Sequence, residues 1–245
     1  MNRTARYLLA AVLALVFACC LALAWAGVKA RRARTTCTGI EVQFRDELRF
    51  VTEEEIKDLL DRNYGIYLGQ GIDSVQLSRI EQMLRTQTAI RAGEAWTTDD
   101  GVLHIGISQR KPVLRIQTEN GGCYADAEGT VFPLRNGCTP LVPVIDGAVQ
   151  SGQKEWLDGV LELVAYMHRT KVWEENIAQM HVLPSGDIVM IPRTGRERFL
   201  FGTPDHAAEK FKRMEQYYRH IRPAQEGSGY KSVNVKYQGQ IICRK

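Results

Sequence analysis

The sequence predicts an α+β protein in three parts. One long apolar helix comes first, then a small β-α-α-β-β unit, then a larger mixed β-domain with flanking helices. Three observations carry this. Residues 7–28, YLLAAVLALVFACCLALAWAGV, run 22 residues without a charge, a proline or a side-chain amide. Residues 40–107 alternate between period-2 and period-3.6 apolar patterns, with helix-start signals between them. From residue 113 onward most apolar runs are short and close on Gly or Pro turns, and two helical patterns interrupt them.

At 1.5 Å rise per residue the first stretch spans roughly 33 Å as a helix, enough for a hydrocarbon core of about 30 Å. Hydrocarbon offers backbone N–H and C=O groups no water, so the stretch is predicted as one continuous helix. Ala24-Trp25-Ala26 ahead of Gly27 has the form of a signal cleavage site. The apolar run nevertheless exceeds the roughly 7–15 residues of a signal h-region, which favours an uncleaved anchor. Arg3 and Arg6 precede it, and Lys29, Arg31, Arg32 and Arg34 follow. That excess would keep the C-terminal side in the cytoplasm, but long domains cross largely regardless of flanking charge, so the residues alone leave orientation open. The expected organisation is a head at 1–6, a transmembrane helix at 7–28, a first domain at 37–111 and a β-domain at 112–245.

The formal charge of +4 belongs to the membrane flank. Without the six basic residues that precede Cys37, 26 Lys and Arg stand against 28 Asp and Glu. A nearly neutral remainder gives nucleic acid no electrostatic footprint. Cys19 and Cys20 lie in the apolar run and pack there as small apolar residues. Cys37, Cys123, Cys138 and Cys243 show no Cys/His ligand spacing, so no zinc or other metal is expected. Cys123 and Cys138 bracket a hairpin-like segment. A disulfide there and two unpaired thiols both remain open, because sequence does not give the Cα separation.

Taken in order, Ile40, Val42 and Phe44 alternate as a half-buried strand. Thr52 caps the next helix, Glu55 completes a capping box, and Val51 staples onto Ile56. The same pattern reads a second helix from Asp73, with Gln76 at its third position and Ile72 against Leu77. A strand around Ala95-Trp96-Thr97, a turn at Asp99-Asp100-Gly101 and a strand carrying Leu103, Ile105 and Ile107 complete the unit, two helices on one face of three strands. The chain changes direction at Arg110-Lys111-Pro112, since proline removes a ladder donor.

In the second part, strands are expected at 114–116, 123–125, 130–132 and 141–145. A helix over 154–169 presents Leu157, Val160, Leu161, Val164 and His168. Strands resume at 179–183, 187–191 and 198–201. Thr203 caps the last helix with Pro204 at its first position, and Phe211, Met214, Tyr218 and Ile221 mark its buried stripe. A flexible break at 227–229 precedes one final strand over 231–244, with Val233, Val235 and Tyr237 alternating.

Phe50 to Ile56, Ile72 to Leu84, Ile105-Gly106-Ile107-Ser108-Gln109-Arg110-Lys111-Pro112-Val113, Tyr124 to Phe132, Leu141 to Gly147 and Val233-Asn234-Val235-Lys236-Tyr237 occur together and in this order. This series resembles FtsQ/DivIB, the single-pass bacterial division family with a POTRA domain followed by a β-domain. The strand ending at Pro112-Val113 resembles E-R-x-P-V, with Gln109 for the usual Glu. Tyr124 to Phe132 resembles Y-x-D-x-x-G-x-V-F, and Leu141 to Gly147 resembles L-P-V-I-x-G, with Val142 intruding. The closing strand resembles V-D-L-R-Y, with Asn234 for the usual Asp. None of these departures removes a group that a scaffold would need.

No catalytic signature emerges. His104, His168, His181, His206 and His220 adjoin no nucleophile motif, and G-x-S-x-G is absent. Asp99 and Asp100, like Asp126 and Glu128, read as solvated turn residues rather than an acid/base pair. Gly69-Gln70-Gly71 lacks the remainder of a phosphate loop. No cofactor and no catalytic residue are expected.

The final strand either faces its own core, with lysines at 231, 236 and 245 blunting the edge, or leaves that edge open to a partner's strand. The resemblance implies the second: recruitment of an FtsB-like partner together with an FtsL-like one. It places Tyr237, Gln240, Ile241 and Ile242 in the contact strip, with Val233 and Val235 leading in. It further implies a non-enzymatic scaffold in the cytoplasmic (inner) membrane at the division septum. Its N-terminus would lie inside, residues 7–28 in the bilayer, the C-terminal domains outside, and other divisome membrane proteins beside it. A POTRA-bearing outer-membrane assembly or secretion factor is the alternative, but would need a β-barrel of amphipathic strands. An anchored extracytoplasmic enzyme is a third reading, to be revived by turnover in a hydrolysis or thiol-exchange assay.

Overall fold

The computed structural model describes residues 3–32, 34–118, 121–224 and 229–245. Helix α1 (Arg3–Arg32) contains an apolar window, Val12–Lys29, long enough to cross a membrane. The chain divides into two compact units. One comprises Met1–Glu47 and Val51–Gln109; the other comprises Leu48–Phe50 and Arg110–Lys245.

In the first unit, β1 (Gly39–Phe44), α2 (Glu53–Asn63), α3 (Leu77–Arg85), β2 (Ile90–Thr97) and β3 (Val102–Gln109) follow in the β-α-α-β-β order expected. The sheet runs β1-β3-β2, with β1 parallel and β2 antiparallel to β3. The Thr52 capping box forms in both directions. Ile56 and Leu60 of α2 and Ile80 and Leu84 of α3 are buried, as are Leu103, Ile105 and Ile107 of β3. Each such side chain contributes about 1.5–3 kcal/mol by leaving water. The second helix starts later than its pattern indicated. Ile72–Ser74 forms a separate 3-10 turn, and α3 begins after Gln76, whose N–H donates to the Tyr64 hydroxyl at 2.8 Å.

The second unit is built on one nine-stranded sheet. Its strands are β4 (Pro112–Thr118), β5 (Gly121–Asp126), β6 (Val131–Pro133), β7 (Val144–Gly147), β8 (Ile177–Val182), β9 (Ile188–Pro192), β10 (Arg198–Gly202), β11 (Ser232–Asn234) and β12 (Ile242–Arg244). In space they run β12-β11-β10-β9-β8-β7-β4-β5-β6. Helices α4 (Lys154–Thr170), α5 (Val172–Asn176) and α6 (Ala207–Gln216) share one core with the inward strand residues, among them Leu114, Ile145, Met180, Phe199 and Val233. Phe211 stacks on Tyr166 and Trp173, at centroid distances of 5.3 and 4.9 Å, and meets Phe201 at 5.1 Å.

Several expectations for this unit are corrected. His168 lies exposed rather than on the buried stripe of α4, and its Nδ1 pairs with Glu174 at 2.7 Å. Thr203 does not cap α6. The helix starts after His206, held at φ 53°, while the Thr203 carbonyl accepts from Lys210 Nζ at 2.7 Å. The break read at Gly227 and Ser228 lies outside the described residues. The final strand is not continuous: β11 and β12 form a hairpin, turned at Gly239 with φ 71°.

Cys123 and Cys138 are free thiols. Strand alternation sends the side chains of Cys123 and Tyr124 to opposite faces of the sheet. Cys123 lies opposite Ile116 and packs toward the helices, while Cys138 lies near Tyr124, the next residue on the strand, which points to the other face.

Candidate partner-binding edge

β11 sits inside the sheet. It pairs parallel to β10 (Arg198↔Ser232, Phe199↔Val233, Leu200↔Asn234) and antiparallel to β12 (Ser232↔Arg244, Val233↔Cys243, Asn234↔Ile242). β12 has a strand on one side only, among the described residues. Its other side is a border of main-chain groups of the kind to which an extended peptide can add.

Register assigns the side chains. Asp146, His181, Val189, Leu200, Asn234 and Ile242 are cross-strand neighbours from β7 to β12 and so share one face. That is the face away from the helices, where Val189, Ile191 and Leu200 line a shallow hollow of about 480 Å³ with Arg198 and Lys231. His181 Nδ1 and Gln179 Nε2 both meet the Asp146 carboxylate, at 2.7 and 2.6 Å. On the opposite face Ile241 and Cys243 pack against the core.

The six residues read from sequence therefore divide. Val233 and Val235 are 0% exposed and belong to the core, because their side chains lie on the face that the helices pack against; they support the edge from beneath and offer no contact surface. Ile241 is partly buried against the core. Tyr237, Gln240 and Ile242 are exposed, Tyr237 by 48% and Ile242 by 39%.

Side chains that no sequence pattern singles out surround this hairpin. Lys236 Nζ lies 2.9 Å from both carboxylate oxygens of Asp187, and that hydrogen bond raises the lysine's pKa. The buried Arg213 donates Nε–H to the Val235 carbonyl at 2.8 Å. Near the start of β10 the buried Glu197 lies 3.5 Å from Arg222 Nη1. Burial, then the Glu197 charge, pushes the Tyr217 hydroxyl up to about 12 and raises Tyr218 as well. Both tyrosines lie in the π-helical turn Tyr217–Ile221 that follows α6.

Elsewhere the carboxylates serve the fold. Asp126 accepts from Arg110 at 2.7 Å and from the N–H groups of Glu128 and Thr130 at 3.0 and 2.8 Å, closing the β5–β6 turn. His104 stacks on Trp96 and faces Glu41. Among the described residues no three His, Cys, Asp or Glu side chains converge to hold a metal.

A model of POTRA-like domains matches residues 35–108, and a model described as FtsQ/DivIB, C-terminal related, matches residues 111–244. The chain belongs to the FtsQ/DivIB family. No curated protein matches it. FtsQ/DivIB domains mark a cell-division scaffold, and the single apolar N-terminal helix is consistent with a single-pass membrane member of that family. The free edge thus lies within the FtsQ/DivIB-related domain, whose match ends at Arg244, the last residue of β12.

Proposed function

We propose that the chain is a non-enzymatic, membrane-anchored scaffold of the bacterial division machinery. Its free β12 edge recruits an FtsB-like partner, accompanied by an FtsL-like one, and couples them to septal peptidoglycan synthesis. Residues 7–28 cross the cytoplasmic membrane, the head stays inside, and both folded units stand outside. The observation that carries the reading is the single-sided pairing of β12. An added strand would gain main-chain hydrogen bonds along β12. Its alternate side chains would meet Ile242 on one face and the rim beside Ile241 and Cys243 on the other.

The test uses the full chain in lipid nanodiscs with a purified FtsB–FtsL pair. Tyr237→Lys and Ile242→Lys change exposed side chains, so the fold survives, and each weakens capture by about tenfold or more if these residues anchor the contact. Ile241 is left intact because it supports the core. Undiminished capture by both variants would move the interface off this edge.

A further inference from the structure

β12 is held in the sheet by little main chain. Three residues of β12 pair with β11, and three residues of β11 pair with β10. A ladder that short at a sheet border belongs to the low-stability end of a fold unless side chains hold it. Side chains from elsewhere in the unit take hold of the segment that joins the two strands.

Lys236 spans from the hairpin to the β8–β9 turn, where Asp187 receives it with both carboxylate oxygens at 2.9 Å. The lysine stem passes over Gly202, the first residue of β10 beyond its register shift against β9. A Cβ on Gly202 would stand 2.8 Å from Lys236 Cγ, and its φ of +81° is one that only glycine adopts without strain. From α6, Arg213 holds the preceding carbonyl, that of Val235. The Val235 N–H donates to Leu200 O at 3.1 Å, and the Lys236 N–H to Asn234 Oδ1 at 3.0 Å. The Asp187 side chain is 15% exposed and that of Lys236 34%, so the pair is partly shielded from water.

We infer that Asp187, Lys236 and Arg213 are positioning residues. They form a clasp that keeps β12 in register, so that its open border is already extended when a partner strand arrives. A border ordered beforehand leaves less conformational entropy to be lost at docking, so the clasp acts on affinity without touching the partner. The consequence for docking rests on the scaffold reading; the ordering of β12 does not.

The experiment combines native-state hydrogen exchange on the full chain in nanodiscs with association kinetics toward the FtsB–FtsL pair. Asp187→Asn and Lys236→Met, the latter keeping a stem over Gly202, each speed exchange at residues 242–244 by about tenfold and leave β8 and β4 protected. Both weaken partner binding by a similar factor. Lys236→Arg keeps the charge and restores exchange and affinity to within about twofold of the native chain. The clasp is refuted if 242–244 stay protected in Asp187→Asn, if protection falls equally across the whole sheet, or if Lys236→Arg behaves like Lys236→Met. If the native chain binds no partner while the exchange pattern appears as described, the scaffold reading fails and the clasp stands.

Discussion

Phe211→Ala tests whether the ring cluster under α6 holds the second unit together. Phe211 is 1% exposed and touches three other rings, Tyr166, Trp173 and Phe201. Truncating a buried Phe costs about 3–5 kcal/mol through lost transfer energy and the cavity left behind. Aromatic pairs add about 0.5–1.5 kcal/mol each beyond area, which places this site at the upper end, near 5 kcal/mol. For a unit of roughly 140 residues, at about 3–5 °C per kcal/mol, the unfolding midpoint falls by about 15–25 °C. Phe211→Leu keeps most of the volume and loses about 1–1.5 kcal/mol, or roughly 5 °C. Differential scanning calorimetry of the full chain reads both. A drop below about 5 °C for Phe211→Ala would mean that the cluster is not what fastens α6 to the sheet.

Two further predictions concern pH and capping. The Tyr217 pKa is raised above its unfolded value, so the stability it contributes is fully present below pH 10 and is lost as pH climbs toward 12. Absorbance titration of tyrosinate should show late, cooperative ionisation coincident with unfolding in that window, and Tyr217→Phe should shift the alkaline transition upward; simple titration of all tyrosines near pH 10 would contradict the buried cluster. Thr52→Ala removes one half of a complete capping box and costs about 1 kcal/mol, read by denaturant unfolding of the first unit, whereas Thr52→Ser costs a few tenths; equal losses would assign the effect to something other than the cap.

How far the sequence was legible varies by element, for physical reasons. Local rules sufficed where a single helix or hairpin decided the outcome, as with the Thr52 box and the alternation of Leu103, Ile105 and Ile107. They misled where two signals competed. Asp73 mimics a cap, but the chain closes a 3-10 turn there first. Thr203-Pro204 has the chemistry of a helix start, but the helix waits for His206. α5 is too short to show a period and follows Lys171, held at φ 49°, so no pattern announced it. The alternation Val233, Val235, Tyr237 read as one strand, while Gly239 two residues on was the available sign of a turn. The Asp187–Lys236 pair joins residues 49 apart, and only the register of β8 to β11 brings them together.

The parallel pairing of β1 with β3 has a mechanical consequence. Gly39 aligns with Val102 and Phe44 with Ile107, so the chain enters β1 at one end of the ladder and leaves β3, at Gln109, from the other. Tension between residues 38 and 110 therefore pulls the two strands lengthwise past each other. All six aligned pairs resist at once instead of opening one by one, and a tug arriving through the N-terminal helix meets this unit in its most resistant direction.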